Sequence, residues 1–310
     1  MVLRKLSLEI PATSANLGPG FDCLGLALNL KNQFSFQENK TGYQIVMHAA
    51  QGIILPETFN QPDQNLVIQS YQKTCKKHDW EEVFFDLDCQ VFIPLESGLG
   101  SSATAIVAGV TIAYALHDQK LDRAKILEDC LDLENHPDNL VAAIYGGFTC
   151  AFRGDKACQL VKADVEEDLK IFILHPALRV NTEKSRKNLP EKVLRVQAVQ
   201  TLGRAVTFVA AFLKKQYSLF FEAMEDFLHE PYRIDPKMRY PSLKKQLQGD
   251  DFYGWCMSGS GPSLLIFCRE HSVRIENLLK NHFRNLQIPA TIHKLQVDNV
   301  GLTYHIEPNF

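Results

Sequence analysis

The pattern of hydrophobic and polar residues before residues 94–104 differs from the pattern after them. These eleven residues read PLESGLGSSAT. Before this segment, apolar and polar residues alternate over 83–93, which predicts a half-buried strand. After it, residues 103–116 are apolar, rich in alanine and free of proline, which predicts a buried helix. The segment is therefore expected to connect a strand to a helix through a glycine loop.

The same patterns predict the other elements of the chain. Alternation predicts strands at residues 6–10, 33–37 and 43–48, with strand-like patterning again at 148–175 and 264–268. Helical periodicity predicts helices at residues 65–77, 123–134, 193–215 and 219–228, and a short helix capped by Asp138 or Asn139. Because strands and helices are mixed rather than regularly alternating, an α+β fold is expected. A turn at Gly154 and Asp155 divides the chain into two predicted domains, residues 1–155 and 156–310.

Length, charge and cysteine content narrow the class of protein. A chain of 310 residues with 45% hydrophobic residues can form about two domains with a sizeable core. The net charge is −3 and no Lys/Arg cluster stands out, so a nucleic-acid partner is not expected. The eight cysteines contain no CxxC pair, and no apolar run reaches the ~18 residues of a membrane span. These features predict a cytoplasmic protein with reduced thiols and no membrane partner.

The glycine loop has the chemistry of a phosphate site. Gly98 and Gly100 lack the Cβ atoms that would keep a phosphate away from the backbone, and the helix start adds N–H groups and a dipole. Ser101 and Ser102 can cap the helix, contact phosphate or ligate a metal. No GK[ST] follows the glycines, which excludes a P-loop. The loop matches G-x-G-x-x-A through Ala103, but the second strand of a dinucleotide site is missing. Phosphate binding is thus favoured over a structural turn.

Four further features carry candidate chemistry. Residues 257–263 (MSGSGPS) form a second glycine–serine loop, for which a tight turn is an equal alternative. Glu134 ends a helix, where the dipole disfavours a carboxylate, so either an adjacent Mg²⁺ or a solvated surface position would explain it. His136 is a lone histidine near a turn, and a structural, hydrogen-bonded role is favoured for it. Asn16 and Asp22 stand among glycines directly after a strand, which indicates a polar loop and no more.

Taken together, these segments resemble the galactokinase, homoserine kinase, mevalonate kinase and phosphomevalonate kinase (GHMP) superfamily of small-molecule kinases. PLESGLGSSAT is similar to the phosphate loop of that superfamily almost letter for letter. A narrower resemblance to homoserine kinases is carried by IPATSANLGPGFDCLGLAL, ENHPDNLVAAIYGG, NTEKSRKNLP, HEPYR and MSGSGPS. The resemblance spans residues 8–268. It implies an N-terminal domain like domain 2 of ribosomal protein S5, a ferredoxin-like C-terminal domain, and an active site between them.

The resemblance also implies a reaction, the ATP-dependent phosphorylation of the L-homoserine side-chain hydroxyl to O-phospho-L-homoserine in threonine biosynthesis. Asn65 would lie near the adenine, and Ser102 and Glu134 would hold Mg²⁺. The implied ATP-binding residues are Asn65, Pro94, Leu95, Glu96, Ser97, Gly98, Leu99, Gly100, Ser101, Ser102, Ala103, Thr104, Ser258 and Gly259.

Homoserine carries an ammonium, a carboxylate and a hydroxyl, so its site needs an acid and at least one arginine. In the family's pattern, Asp22 matches the acid that meets the ammonium, and Arg186 and Arg233 match the arginines on the carboxylate. The other implied substrate residues are Asn16, His136, Asn139 and Thr182. The implied catalytic residues are Glu134, Ser102 and Asn139. Homoserine kinases lack the catalytic aspartate of mevalonate kinases, so Asp138 is not expected to act as a base.

Two alternatives remain open from the sequence. One is another GHMP kinase with a different alcohol as acceptor. The other is a catalytically silent sensor that binds nucleotide and ligand, although Ser101, Ser102 and Glu134 argue against it. A homodimer is compatible with the resemblance, and the sequence itself does not set the oligomeric state.

Overall fold

A computed structural model describes residues 5–178, 180 and 182–306 of the chain, apart from the side chains of residues 182–184 and 306. These described residues form two β-sheets, one of seven strands and one of four. Helices pack on both sheets, which confirms the expected α+β fold.

The first sheet has the strand order β11-β1-β2-β4-β3, with β5 paired to β2 and β6 paired to β5. Its strands are β1 (Lys5–Ala15), β2 (Leu24–Glu38), β3 (Gln44–Ala49), β4 (Phe85–Val91), β5 (Phe148–Arg153), β6 (Cys158–Ala163) and β11 (Thr303–Ile306). Its helices are α1 (Leu66–Lys77), α2 (Ser101–Leu116), α3 (Arg123–Leu133) and α4 (Pro137–Tyr145). The apolar helices α2 and α4 pack on the sheet, and α1 and α3 pack against them.

The second sheet has the order β10-β7-β9-β8, and each neighbouring pair is antiparallel. Its strands are β7 (Lys170–Pro176), β8 (Phe252–Met257), β9 (Leu264–Cys268) and β10 (Ala290–Leu295). The intervening helices are α5 (Thr182–Lys187), α6 (Arg195–Leu213), α7 (Phe220–Ala223), α8 (Glu230–Arg233), α9 (Tyr240–Gln246) and α10 (Val273–Asn285). Numbered along the chain, the four strands lie in the order 4-1-3-2, which is the expected ferredoxin-like arrangement.

One buried apolar cluster joins the two sheets. It contains Leu26 of β2, Phe148 of β5 and Phe212 of α6, and the last two rings stack at 4.1 Å. Leu99 of the glycine loop belongs to the same cluster and is 1% exposed. Burial of this side chain anchors the loop to the junction of the sheets.

The turn that the sequence indicates as a domain boundary lies inside the first sheet. Residues 154–157 connect β5 to β6, which pair in register from Phe148↔Ala163 to Arg153↔Cys158. The chain therefore passes to the second sheet between Ala163 and Lys170, later than the predicted division at 155/156, and β11 returns to pair with β1. A hairpin turn and a domain linker share the same glycine–aspartate signal, so the pattern alone could not separate them.

The helix predicted over 219–228 is interrupted in the structure. Helix α7 ends at Ala223, and the carboxylate of Asp226 accepts hydrogen bonds from the backbone N–H groups of residues 228, 229 and 230. An aspartate that captures N–H groups in this way competes with a continuing helix and begins a new one. This capping places α8 beside the loop 257–263.

Among the described helices, α6 is the one long and apolar enough to cross a membrane, judged by length and composition alone. Phe208 and Phe212 on one side of α6 are buried in the shared cluster. On the other side, Val199, Leu202 and Val206 are exposed. One side of the helix thus packs in the core, and the other side is an exposed apolar face.

A buried carboxylate fixes the helix that leads to Glu134. Asp129 of α3 is 4% exposed and accepts hydrogen bonds from Lys77 (2.6 Å), His78 (2.7 Å) and Tyr114 (2.8 Å). Burial raises the pKa of the Asp129 carboxyl, but the hydrogen bonds from its three partners outweigh burial and lower this pKa below its usual value. The interaction ties the end of α1 and the outer end of α2 to α3.

We expect Asp129→Ala to lower the free energy of unfolding by about 1–3 kcal/mol at pH 7, because it leaves the buried Tyr114 hydroxyl and the partly buried His78 ring without their acceptor. Since the folded pKa is depressed, this contribution is present above the usual carboxyl pKa and is lost as the pH falls through the folded pKa. The wild-type and variant stabilities should therefore converge in acid. Urea denaturation followed by tryptophan fluorescence measures both effects.

Asp132→Ala is the matched control for this measurement. Asp132 contacts the same Lys77, but its side chain is 47% exposed, so its removal should cost less than about 0.5 kcal/mol. Equal losses for the two variants would contradict a structural role for the buried carboxylate.

Candidate functional site

Three loops meet at the junction of the two sheets and line one cavity. They are the end of β1 (residues 13–16), the glycine loop (94–104) and the loop between β8 and β9 (258–263). Strand β1 reaches this point because it continues past Pro11 through a bulge, whereas the alternation in the sequence ends at Ile10. Hydrogen bonds join the loops pairwise: Thr13 N to Leu99 O (3.0 Å), Gly259 N to Ala15 O (3.1 Å) and Ser258 Oγ to Gly98 O (2.7 Å).

The two glycines of the loop are required by this close approach. Gly98 and Gly100 both have positive φ angles, 80° and 72°. A Cβ on Gly98 would lie 2.2 Å from the carbonyl oxygen of Ser258, and one on Gly100 would lie 1.9 Å from Thr13 Oγ1. Conformation and contact therefore both exclude a side chain at these positions.

The start of α2 is open to an anion. The helix begins at Ser101, with Gly100 as its N-cap and no capping side chain among the described residues. The first N–H groups of a helix have no partner within the helix, so they remain available to a ligand. The Ser102 side chain is exposed, and its hydroxyl forms no hydrogen bond to any described residue. The serines thus leave the N-terminus uncapped, as a phosphate site requires.

An apolar slot lies beside the glycine loop and shares Ser101 and Ser102 with it. Its apolar walls include Phe34, Met47, Phe59, Leu66 and Val91. Such a slot fits a flat ring whose attached anion reaches the helix start.

Asn65 lines this slot but uses its side chain elsewhere. Its Oδ1 accepts hydrogen bonds from Val67 N (2.9 Å) and Ile68 N (3.3 Å), and its Nδ2 donates to Phe59 O (2.8 Å). The side chain caps α1 and closes the wall of the slot.

Glu134 and Ser102 line the same cavity, as a shared metal ion would require. Glu134 is the C-cap of α3, and its carboxylate contacts the ring and the N–H group of His136. The hydrogen bond from His136 lowers the pKa of Glu134, which keeps the carboxylate charged. No group of three His, Cys, Asp or Glu side chains in the described part of the chain could hold a metal by itself. One hydroxyl and one carboxylate suit Mg²⁺, which usually keeps water and phosphate oxygens as its other ligands.

The opposite end of the cavity holds an ion pair. Arg186 donates to both oxygens of Asp22, from Nη1 at 2.9 Å and from Nη2 at 2.7 Å. The hydrogen bonds to Asp22 raise the pKa of Arg186. Asp22 is predicted to bind the ammonium of a ligand and Arg186 its carboxylate. In the structure these two side chains neutralise each other.

Arg233 differs from Arg186 because its N–H groups make few or only long hydrogen bonds. Its Nε is buried and has no hydrogen-bond partner among the described residues. Its Nη1 makes only long contacts, 3.4 Å to His229 Nδ1 and 3.5 Å to Gly259 O. Burial lowers the pKa of Arg233, and the neighbouring charge of Arg186 lowers it further. An under-used guanidinium in a cavity is suited to an anionic ligand such as a carboxylate.

The asparagines of the site hold the loops together. Asn16 has a positive φ of 70°, donates to Gly259 O at 2.8 Å and accepts from Asp22 N at 3.0 Å. Asn139 accepts from Thr13 Oγ1 at 2.7 Å. Both amides therefore position neighbouring loops while they line the cavity.

The N-cap predicted for α4 is wrong by two or three residues. The helix begins at Pro137 with His136 as N-cap, because proline needs no N–H partner at the first helical position. Asp138, proposed as a cap, is buried in the cavity wall and accepts from Asn139 N at 2.7 Å. Burial and the charge of Asp22 raise the pKa of Asp138 to about 7.

Most of the predicted site residues line the one cavity: Asn16, Asp22, Glu96, Ser97, Gly98, Leu99, Gly100, Ser101, Ser102, Ala103, Glu134, His136, Asn139, Arg186, Arg233 and Gly259. Three line the apolar slot instead: Asn65, Leu95 and Thr104. Pro94 and Ser258 line neither space. Pro94 O accepts from Ser97, and the Ser258 hydroxyl connects Ser14 to Gly98. Thr182 begins α5, but its side chain lies outside the described residues.

Asn32 holds the glycine loop in place, a role that the sequence did not reveal. Its Oδ1 accepts hydrogen bonds from Phe92 N (2.9 Å) and Ile93 N (3.0 Å), and its Nδ2 donates to Thr104 (3.0 Å). It therefore fixes both ends of the glycine loop. It lies within a strand whose local pattern gives no sign of this long-range contact.

Comparisons with known proteins agree with this arrangement. The sequence model of the family "GHMP kinases N terminal domain" matches residues 65–147. The sequence model of the family "GHMP kinases C terminal" matches residues 208–285. A homoserine kinase of Clostridium botulinum is 31% identical over 299 residues, covering 96% of this chain and 97% of the relative. A homoserine kinase of Prochlorococcus marinus is 34% identical over 311 residues, covering 97% and 96%.

A crystal structure of a homoserine kinase from Cytophaga hutchinsonii has the same fold. Its TM-score is 0.82 at 28% identity, with 97% of each chain covered. Similarity in sequence and in structure therefore extends over both sheets and all three loops. The chain belongs to the homoserine kinases of the GHMP kinase family.

Proposed function

We propose that the protein transfers the γ-phosphoryl group of MgATP to the side-chain hydroxyl of L-homoserine. The observation that carries this proposal is the pairing of two chemistries in one cavity. An uncapped helix start and glycine loop lie at one end, and an acid with two arginines lies at the other. The names of the relatives, homoserine kinase, support the same acceptor.

The nucleotide would bind with its adenine in the apolar slot and its phosphates on the glycine loop. The slot and the loop cavity share Ser101 and Ser102, so a single ligand can occupy both. The helix N–H groups would then meet the charge that develops on the transferred phosphoryl group.

Ser102 and Glu134 would hold Mg²⁺, which supplies charge neutralisation on the phosphate oxygens when bound. Glu134 suits this role because His136 keeps its carboxylate charged. The position of Glu134 at a helix C-terminus, unfavourable for a lone carboxylate, is then offset by the ion.

The charged groups of the acceptor would replace the contacts between Asp22 and Arg186 at the far end of the cavity. The ammonium of homoserine would replace Arg186 on Asp22, and its carboxylate would bind Arg186 and the under-used Arg233. This exchange leaves the net charge of the cavity unchanged, since a zwitterion brings one charge of each sign. It also directs the side-chain hydroxyl toward the glycine loop.

The chain's contribution to the chemical step would be positioning. Asn139 lies between the acceptor end and Gly100, where its amide can orient the hydroxyl. A loose phosphoryl-transfer transition state needs little base catalysis.

A coupled ADP-release assay with L-homoserine and other alcohols tests the proposal. We expect ADP release with homoserine, together with a phosphomonoester product detected by ³¹P NMR. Turnover of another alcohol without homoserine would contradict the acceptor. Nucleotide and homoserine binding without product would instead favour a silent sensor.

Glu134→Gln should lower kcat at least about tenfold and raise the Mg²⁺ concentration needed for half-maximal rate, because it removes a charged metal ligand. The KM for homoserine should change less than about threefold. Glu128→Gln on the same helix is the control, since Glu128 only accepts from Cys158 N and the amide oxygen can replace that contact. An unchanged Mg²⁺ dependence in Glu134→Gln would remove Glu134 from the metal site.

Arg233→Ala should raise the KM for homoserine by about 10- to 100-fold, because it removes charged hydrogen bonds to the carboxylate. The KM for ATP should stay within about twofold. Arg204→Ala is the control, because Arg204 pairs with Glu225 away from the cavity. Steady-state kinetics with each substrate varied in turn decides the assignment, and equal changes in both KM values would contradict it.

A further inference from the structure

Both arginines of the acceptor end contact one aromatic ring. The guanidinium carbons of Arg186 and Arg233 each lie 5.2 Å from the ring centroid of Phe21. Both distances are within the range of a cation–π interaction, in which the ring's negative face attracts the cation. Phe21 is half-buried and directly precedes Asp22, the other partner of Arg186.

The neutral side chain of His229 packs against the Phe21 ring. Its imidazole stacks on Phe21 with centroids 5.1 Å apart and an angle of 22° between the planes. The imidazole is fully buried, and burial lowers its pKa, so it is neutral near pH 7. With the proton on Nε2 it donates to Gly18 O at 2.9 Å, which leaves Nδ1 as the acceptor facing Arg233 Nη1.

The backbone around His229 is held firmly. Asp226 accepts from the N–H groups of His229 (2.7 Å) and Glu230 (2.8 Å), and the Glu230 carboxyl accepts from Met257 N at 2.6 Å. These contacts connect α8 to the loop 257–263 and through Gly18 to the loop that carries Phe21. The stack therefore has a rigid base.

Two guanidinium groups that share a ligand repel each other when the ligand is absent. The effect is present in this site, where the charge of Arg186 helps to lower the pKa of Arg233. Arg186 is oriented by Asp22, but within the described part of the chain Arg233 has an unpartnered Nε and only long contacts at Nη1. The Phe21 ring contacts both cations.

We infer that Phe21 is a positioning residue, whose ring, seated on neutral His229, holds Arg186 and Arg233 together for one carboxylate. The inference rests on the proposed function and deepens it. Phe21 would make the protein selective for acceptors that carry a carboxylate beside the ammonium. An aliphatic side chain of similar size would fill the space but lack the negative face that attracts both cations.

Phe21→Leu tests this role with two acceptors, L-homoserine and 3-aminopropan-1-ol. The second compound has the same ammonium and hydroxyl but no carboxylate. We expect the KM for homoserine to rise about tenfold, with kcat and the KM for ATP within about twofold. The kcat/KM for 3-aminopropan-1-ol should stay within about twofold, because no carboxylate is there to be lost.

Phe21→Tyr is the matched control, since it keeps the aromatic face and should retain the KM for homoserine within about threefold. Phe21→Met, apolar and flexible, replaces Phe21→Leu if circular dichroism shows that the leucine variant is unfolded. An equal fall in kcat/KM for both acceptors, or no change for homoserine, would overturn the inference. If the wild-type protein does not phosphorylate homoserine, the proposed function fails and the inference fails with it.

Discussion

At Gly98 and Gly100, segments from two sheets pack so closely that no side chain fits, because a Cβ would meet the carbonyl oxygen of Ser258 at Gly98 and the hydroxyl of Thr13 at Gly100. Strand β1 and the loop between β8 and β9 hydrogen-bond to the glycine loop from opposite sides. The loop is thereby fixed before any ligand arrives, and the N–H groups at the start of α2 stay uncapped. A preformed anion site of this kind avoids the cost of ordering a flexible loop on binding.

The same junction also fixes the position of the proposed acceptor site. The segments that hold the glycine loop continue directly into Asn16 and Asp22 on one side and into Gly259 on the other. Arg186 and Arg233 come from the second sheet's helices and reach the cavity across the junction. At this end Asp22 pairs with Arg186, whereas the Nη1 of Arg233 makes long contacts, so a zwitterion can exchange with the ion pair and also bind Arg233. The proposed phosphate and acceptor sites are thus two ends of a single packing arrangement.

The sequence predicted the local features of this molecule well and its long-range contacts poorly. The strand–loop–helix unit around residues 94–104 is visible in the change of period, and most elements lie where periodicity places them. The roles of Asn32 and His229 could not be predicted, because each acts on backbone groups far away in the chain. The pairing of Asp22 with Arg186 was likewise hidden, since side-chain types indicate possible charges but not their partners. The hairpin at 154–157 shows the same limit, because turn chemistry is local and sheet membership is not.

The claim that close packing at Gly100 forms the phosphate site is tested most directly with the Gly100→Ala variant. Titration calorimetry measures the affinity of this variant for a non-hydrolysable MgATP analogue. Gly203→Ala is the control, because Gly203 is an exposed helical glycine whose Cβ would contact nothing within 4 Å. With both variants folded by circular dichroism, the dissociation constant should rise at least about tenfold for Gly100→Ala and stay unchanged for Gly203→Ala. Wild-type affinity in a folded Gly100→Ala variant would show that the close packing at Gly100 does not form the phosphate site.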